Sequence, residues 1–247
     1  MKSKPKLTIL MMIIPLIVAV LIMFPRLINP QFGLLDDFTM LDNVRNLMEG
    51  DWSMSYDLQA GRFRPVYWTY YALIYTAAGS NPLWFFFAHL ALLLILLLEI
   101  RVLMKMANAK DWQILVTSLV FLLSMPIIEN FYTLSKGEPL QLVFLLASLL
   151  GFEKIKSSQH TSTKALFTFF SFFSILFAML VKETALIMIP IVGLWTGFAF
   201  FFQKNEPTQK RTDYLLFLGA AILAVLAYFG LRAAWGTASI SGGTYTQ

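Results

Sequence analysis

The sequence has little charge and no cysteine. Only 13% of its 247 residues are charged, whereas 58% are hydrophobic. A soluble domain carries about 25% charged residues, so the composition is typical of a polytopic membrane protein. The absence of cysteine excludes disulfides, thiolate metal sites and a cysteine nucleophile. The net charge of +5 reflects lysines and arginines that flank the membrane, and does not indicate nucleic-acid binding.

Seven apolar segments follow one another, close to the roughly 17–25 residues that cross a bilayer. They cover 7–25, 82–100, 112–128, 139–152, 165–181, 184–202 and 213–234. No small-residue cleavage site follows the first, so we expect a retained anchor. Most of the 19 lysines and arginines fall in alternate connections, which puts the N-terminus in the cytoplasm. We therefore expect an all-α polytopic membrane protein with about seven transmembrane helices. The membrane would be a bacterial plasma membrane, which we favour, or the endoplasmic reticulum.

The first outer loop, residues 26–81, has structure of its own. Apolar residues recur at helical spacing over 38–49, which predicts an amphipathic helix in the membrane interface, ended by Gly50. Residues 66–78 are rich in Trp and Tyr, the composition of a segment at the headgroup level. We expect two interfacial helices in this loop.

Acidic residues cluster in the predicted outer segments. Asp36 and Asp37 precede the first interfacial helix, where they suit either capping of that helix or general-base chemistry. Glu138 and Glu183 lie in two later outer turns and are candidate acceptor or metal contacts. No ligand set is visible, so the sequence leaves open whether a divalent cation is bound.

Cations accompany these acids. Arg62 and Arg64 stand just before Pro65, and Lys136 and Lys182 belong to the two later turns. They suit contacts with lipid phosphates at the membrane surface, or the binding of a substrate phosphate. Together with the acids they favour a reaction that deprotonates a nucleophile and stabilises an anionic leaving group.

Four short motifs resemble the GT-C superfamily of polyprenyl-phosphate-sugar glycosyltransferases, of the protein O-mannosyltransferase and aminoarabinose-transferase type. They are Leu35-Asp36-Asp37-Phe38, Leu47-Met48-Glu49-Gly50-Asp51-Trp52, Arg64-Pro65-Val66-Tyr67-Trp68 and Lys182-Glu183-Thr184. The resemblance implies a seven-helix membrane module. We expect residues 1–247 to be one such module at the N-terminal end of a longer protein.

The resemblance also implies a function. The donor would be a sugar on a polyprenyl phosphate within the membrane, and the acceptor a hydroxyl of a lipid, glycan or protein. Asp36, beside Asp37, would be the catalytic base on the non-cytoplasmic face, and transfer would invert the sugar carbon. Arg64 would bind the donor phosphate, and we expect Arg62, Lys136 and Lys182 to assist it.

Two other functions fit the same sequence. A lipid-linked-sugar transporter or flippase would use the basic residues for binding alone, and a truncated module would serve as a non-catalytic membrane partner. Within the apolar segments we expect His89 to be a hydrogen-bonded packing residue. Gly193 and Gly197 form a GxxxG pattern that predicts close helix packing.

Overall fold

The computed structural model describes residues 5–33, 36–51, 57–58, 60–202 and 208–242. Every element in these ranges is a helix, and no strand occurs among them, which confirms the all-α prediction for this part of the chain. The chain divides into two compact units. The first unit is Met1–Gly50 with Trp68–Leu146, and the second is Asp51–Tyr67 with Ala147–Gln247.

The helices are labelled here in chain order. They are α1 (Pro5–Ile28), α2 (Asp36–Met48), α3 (Pro65–Ala78), α4 (Pro82–Met106), α5 (Asp111–Leu122), α6 (Met125–Tyr132), α7 (Glu138–Ser157), α8 (Thr161–Val181), a 3-10 helix (Glu183–Ile187), α9 (Met188–Phe202) and α10 (Thr208–Gly242). The helices expected over 38–49 and 66–78 correspond to α2 and α3. Their placement at a membrane interface stays a prediction.

Four helical segments are long and apolar enough to cross a membrane, which is consistent with an integral membrane protein. They are Ile9–Ile28, Pro82–Met106, Thr161–Val181 and Arg211–Trp235. The pair α5 and α6 counts as a fifth only if its two helices, bent by 58°, form one broken span. The described residues therefore hold four to five candidate spans, fewer than the seven expected.

The remaining expected spans differ for local reasons. α5 ends before Ser124, and Pro126 opens α6, because proline fits the first turn of a helix but cannot continue one. α7 has the length of a span but carries Glu138 at its start and Glu153, Lys154 and Lys156 near its end. The segment 184–202 begins as a 3-10 helix, so α9 itself has only 15 residues.

In the first unit, α1 packs against α4, α5 and α6. Its C-terminal end is fixed by Arg26, whose guanidinium lies over the rings of Phe86 and Tyr132. Tyr132 also donates a hydrogen bond to the Ile22 carbonyl at 2.5 Å. α2 buries the apolar stripe that its spacing predicted. It ends as expected, because Gly50 has φ +104°, a conformation that other residues rarely adopt.

In the second unit, the close approach of α7 and α8 requires Gly151. A Cβ atom there would come within 2.3 Å of the Ser171 hydroxyl and 3.3 Å of the Phe167 carbonyl. The expectation for Gly193 and Gly197 was wrong, since a Cβ at either position meets nothing within 4 Å among the described residues. Small residues permit close packing but do not require it, and here α9 leaves that face open.

α8 and α10 pack along each other in the second unit, and a buried ion pair joins them. Lys164 lies in the first turn of α8 and Asp213 near the start of α10, and their side chains are only 11% and 2% exposed. The ammonium donates a hydrogen bond to the Asp213 carboxylate. Because the pair joins the N-terminal parts of both helices, α8 and α10 run in the same direction.

We expect the Asp213→Leu protein to lose roughly 3–5 kcal/mol of unfolding free energy, because Lys164 would keep a buried charge without its partner. Thermal unfolding of the purified protein in detergent measures this loss. The matched control is Glu153→Leu, which breaks the half-buried Lys156–Glu153 pair and should cost less than about 1 kcal/mol. The double variant Lys164→Met/Asp213→Leu should recover most of the loss. Equal losses in the two single variants would contradict a special role for the buried pair.

Candidate functional site

The two adjacent acids occupy different environments in the first unit. Asp37 is 3% exposed, and both of its oxygens accept backbone hydrogen bonds. Oδ2 accepts from the Gly33 N–H at 2.8 Å, and Oδ1 accepts from the Ser135 N–H at 2.9 Å. Asp37 therefore joins the segment before α2 to the turn between α6 and α7. A Cβ at Gly33 would lie 3.1 Å from Oδ2, so glycine keeps this contact uncrowded.

Asp36 differs from its neighbour because it is exposed to solvent. Both acids lie in the first turn of α2, where a carboxylate interacts favourably with the helix dipole. No hydrogen bond or ion pair to the Asp36 carboxylate is present in the described part of the chain. Of the two candidate bases, Asp36 is thus the one whose oxygens are open to a ligand.

A second set of buried polar groups holds the turn that Asp37 contacts. The Tyr71 hydroxyl, from α3, donates a short hydrogen bond to the Leu134 carbonyl. It also lies 3.1 Å from Nε2 of His89, a fully buried residue of α4. His89 is therefore a hydrogen-bonded packing residue, as expected. The Ser135 turn is fixed through its N–H by Asp37 and through the preceding carbonyl by Tyr71.

Lys136 and Glu138 follow directly on this turn. Both side chains are half-buried, and Glu138 begins α7. The Lys136 ammonium forms no ion pair within the described ranges. Asp37 thus contacts Ser135, the residue beside Lys136. A predicted acid and a predicted cation therefore lie near each other in the first unit.

The arginine motif belongs to the second unit. Its two arginines, Arg62 and Arg64, differ in their contacts. Arg64 forms two hydrogen bonds with the Asp57 carboxylate, Nε to Oδ2 at 3.1 Å and Nη2 to Oδ1 at 2.6 Å. Its guanidinium also lies over the Tyr67 ring, 4.7 Å from the centroid. Burial opposes the charge of Arg64, but the attached Asp57 outweighs that effect and raises the pKa of the guanidinium above its ordinary value.

Arg62 and the Lys182–Glu183 corner complete the predicted set in the second unit. Arg62 is exposed and makes no ion pair with any acid that the structure describes. Lys182 ends α8, and Glu183 opens the 3-10 helix that follows. Glu183 lies close enough to Arg64 to favour its charged form. The acids Asp36 and Asp37 therefore fall in one unit, and Arg62, Arg64, Lys182 and Glu183 in the other.

Three residues of these neighbourhoods were not predicted from the sequence. Tyr71 lies in an aromatic run where nothing distinguishes it, and Arg232 is an isolated charge near the end of an apolar segment. Asp57 lies seven residues before Arg64, a separation with no regular helical or strand meaning. The motif residues Leu35 and Trp52 lie outside the described residues. Within the described ranges, no group of three or more acidic or histidine side chains is placed to hold a metal ion.

Comparisons with protein-family models, with curated proteins and with solved structures found no match to this chain. The glycosyltransferase resemblance therefore stays a hypothesis that depends on the four short motifs and on the geometry given above.

We expect the Asp37→Asn protein to lose about 1–3 kcal/mol of unfolding free energy. An amide has one oxygen, so either the Gly33 or the Ser135 N–H would lose its buried acceptor. Thermal unfolding in detergent measures the change. Asp36→Asn is the matched control, because the exposed Asp36 carboxylate accepts no hydrogen bond from the residues that the structure describes. Equal stability of the Asp37→Asn and Asp36→Asn proteins would refute the anchoring role of Asp37.

Proposed function

We propose that the chain is a membrane glycosyltransferase that moves a sugar from a polyprenyl-phosphate donor to an acceptor hydroxyl, with Asp36 as the general base. The observation that supports this most is that the two adjacent acids differ in hydrogen bonding and in exposure. Asp37 is held at both oxygens by backbone N–H groups, whereas Asp36, on the next residue, is exposed. A general base needs a fixed position and an open carboxylate, and the pair supplies both.

The chemistry requires few groups. The acceptor oxygen attacks the anomeric carbon while the bond from that carbon to the phosphate oxygen breaks, and its electron pair leaves with the phosphate. Asp36 takes the proton of the acceptor hydroxyl. Attack opposite the leaving phosphate inverts the sugar carbon. A phosphate is already a good leaving group and needs no proton from a general acid, so cations alone suffice to stabilise its charge.

A lipid-linked-sugar transporter or flippase is the second candidate, and one observation favours it. Glu99 is buried within α4, and no described hydrogen bond reaches its Oε2. Charged residues inside a membrane span commonly mark a transport path. The transporter and the transferase differ in one measurable respect, because only the transferase forms a new glycosidic bond.

We expect the Asp36→Asn protein to transfer sugar about 100-fold more slowly or worse, because the amide cannot accept the acceptor's proton. The measurement is the transfer of labelled sugar from a polyprenyl-phosphate donor by membranes that contain the expressed chain. Asp42→Asn, an exposed acid of the same helix, is the matched control and should keep wild-type transfer. Wild-type transfer by Asp36→Asn would remove Asp36 as the base. If the wild type and every variant bound the donor but none transferred sugar, the transporter would be favoured.

The proposed reaction takes place on the non-cytoplasmic face, which gives a prediction about labelling. Because the chain has no cysteine, single cysteines can be introduced without a background. In intact cells we expect a membrane-impermeant maleimide to label Asp42→Cys, in α2. It should label Gln159→Cys, between α7 and α8, only after the membrane is permeabilised. The reverse pattern would place α2 in the cytoplasm and contradict the assignment.

A further inference from the structure

We propose that Arg62 and Arg232 form a binding site for the phosphate head of a membrane lipid, with Arg64 as a structural support and not a ligand contact. The site lies wholly in the second unit, where a turn of the first outer loop meets the end of α10. The proposal rests on the proposed function only for the identity of the lipid as the polyprenyl-phosphate donor.

The turn that carries Arg62 has a defined shape. The Arg62 N–H donates to the Asp57 carbonyl at 2.7 Å, and the Gly61 N–H donates to the Leu58 carbonyl at 3.0 Å. Gly61 has φ +72°, which a side chain at this position would strain. The Gly61 carbonyl accepts a hydrogen bond from Nη2 of Arg232 at 2.9 Å. Arg232 thus lies one peptide group away from Arg62.

Aromatic packing fixes this turn on α10. Phe63 is fully buried, with its ring 6.1 Å from that of Tyr228 and 6.0 Å from that of Trp235. Tyr228 lies about one helical turn before Arg232, and Trp235 lies nearly one turn after it. The backbone of the turn and the Arg232 guanidinium are therefore held in place before any ligand arrives, which lowers the entropy lost on binding.

The charges of the neighbourhood are unequally satisfied. Arg64 is neutralised by its double hydrogen bond to Asp57, a side chain that is 1% exposed. Arg62 and Arg232 form no ion pair with any acid in the part of the chain that the structure describes. The Gly61 carbonyl positions Arg232 without cancelling its charge. Two arginines that form no ion pair there thus meet at the peptide between Gly61 and Arg62. Glu183 lies near Arg64, and the Tyr228 hydroxyl interacts with Arg232.

This arrangement suits the phosphate of a membrane lipid. A guanidinium offers several N–H donors in a plane, so two of them can share the oxygens of one phosphate. Leu231 on α10 is exposed beside Arg232, and its apolar surface suits a lipid chain. A phosphate could also come from a bulk phospholipid or from solution, and the test below separates these sources.

The test measures polyprenyl phosphate bound to the purified full chain in detergent by native mass spectrometry, without any acceptor. We expect Arg62→Gln and Arg232→Gln each to weaken binding about 10-fold, since each removes charge-assisted hydrogen bonds. The double variant should lose more. The matched control is Arg45→Gln, an exposed arginine of the first unit, which should bind as the wild type does.

Three competitors separate the sources of the phosphate. Polyprenyl alcohol should not compete, because it has no phosphate. Competition by phosphatidylglycerol as strong as that by polyprenyl phosphate would support a general phospholipid site, and competition by inorganic phosphate would support a free-phosphate site. Unchanged binding in both arginine variants would overturn the proposal, provided that they unfold at the wild-type temperature. If an arginine-to-glutamine variant unfolds at a lower temperature, lipid binding is measured on Arg232→Lys instead, because lysine keeps the charge.

Failure of this inference is distinguishable from failure of the proposed function. The Asp36→Asn protein should bind polyprenyl phosphate normally, because Asp36 belongs to the other unit. Arg64→Gln should lower the unfolding temperature, since it removes the charge and the double hydrogen bond that Arg64 gives to the buried Asp57. If Arg64→Gln instead kept its stability and lost lipid binding as Arg232→Gln does, Arg64 would be the ligand contact and the assignment would be reversed.

Discussion

The carboxylate of Asp37 joins two segments of the first unit that are far apart in the chain. It is buried and accepts one N–H from the segment before α2 and another from Ser135 in the turn after α6, which lies 98 positions from Asp37 in the chain. Two backbone donors in a poorly solvated place need an acceptor, because an unpaired buried N–H is costly. The position of Asp36, and of the turn that leads to Lys136, depends on that acceptor. Tyr71 and His89 support the same turn from the adjoining helices.

Each unit has two like charges close together in the sequence, one of them buried and bonded and the other exposed. In the first, Asp37 is taken up by the fold and Asp36 is exposed; in the second, Arg64 is bound to Asp57 and Arg62 is exposed. The buried member fixes the backbone, and the exposed member is thereby held near a rigid segment. A single charge could not do both, because Asp37 and Arg64 are largely buried where they make these contacts, which closes them to a ligand.

The sequence predicts most of the helices because their apolar composition and their caps are local signals. Gly50 ends α2 and Pro126 opens α6 as their conformational preferences require. The number of spans was harder to predict, since a 3-10 start shortens α9 and charged residues at both ends of α7 shorten its apolar part. Partners remote in sequence could not be predicted at all. Nothing local connects Asp37 with Ser135 or Gly61 with Arg232, because tertiary packing alone brings them together. The same reason explains why Gly151, and not the GxxxG pattern, is the glycine at a close helix contact.

The ion pair between Lys164 and Asp213 has a consequence for how the chain is made. The lysine leaves the ribosome 49 residues before the aspartate that neutralises it. During that interval α8 carries a charge with no partner, at a position that is buried in the finished fold. The contact that Lys164 makes between α8 and α10 can therefore form only after Asp213 has been synthesised.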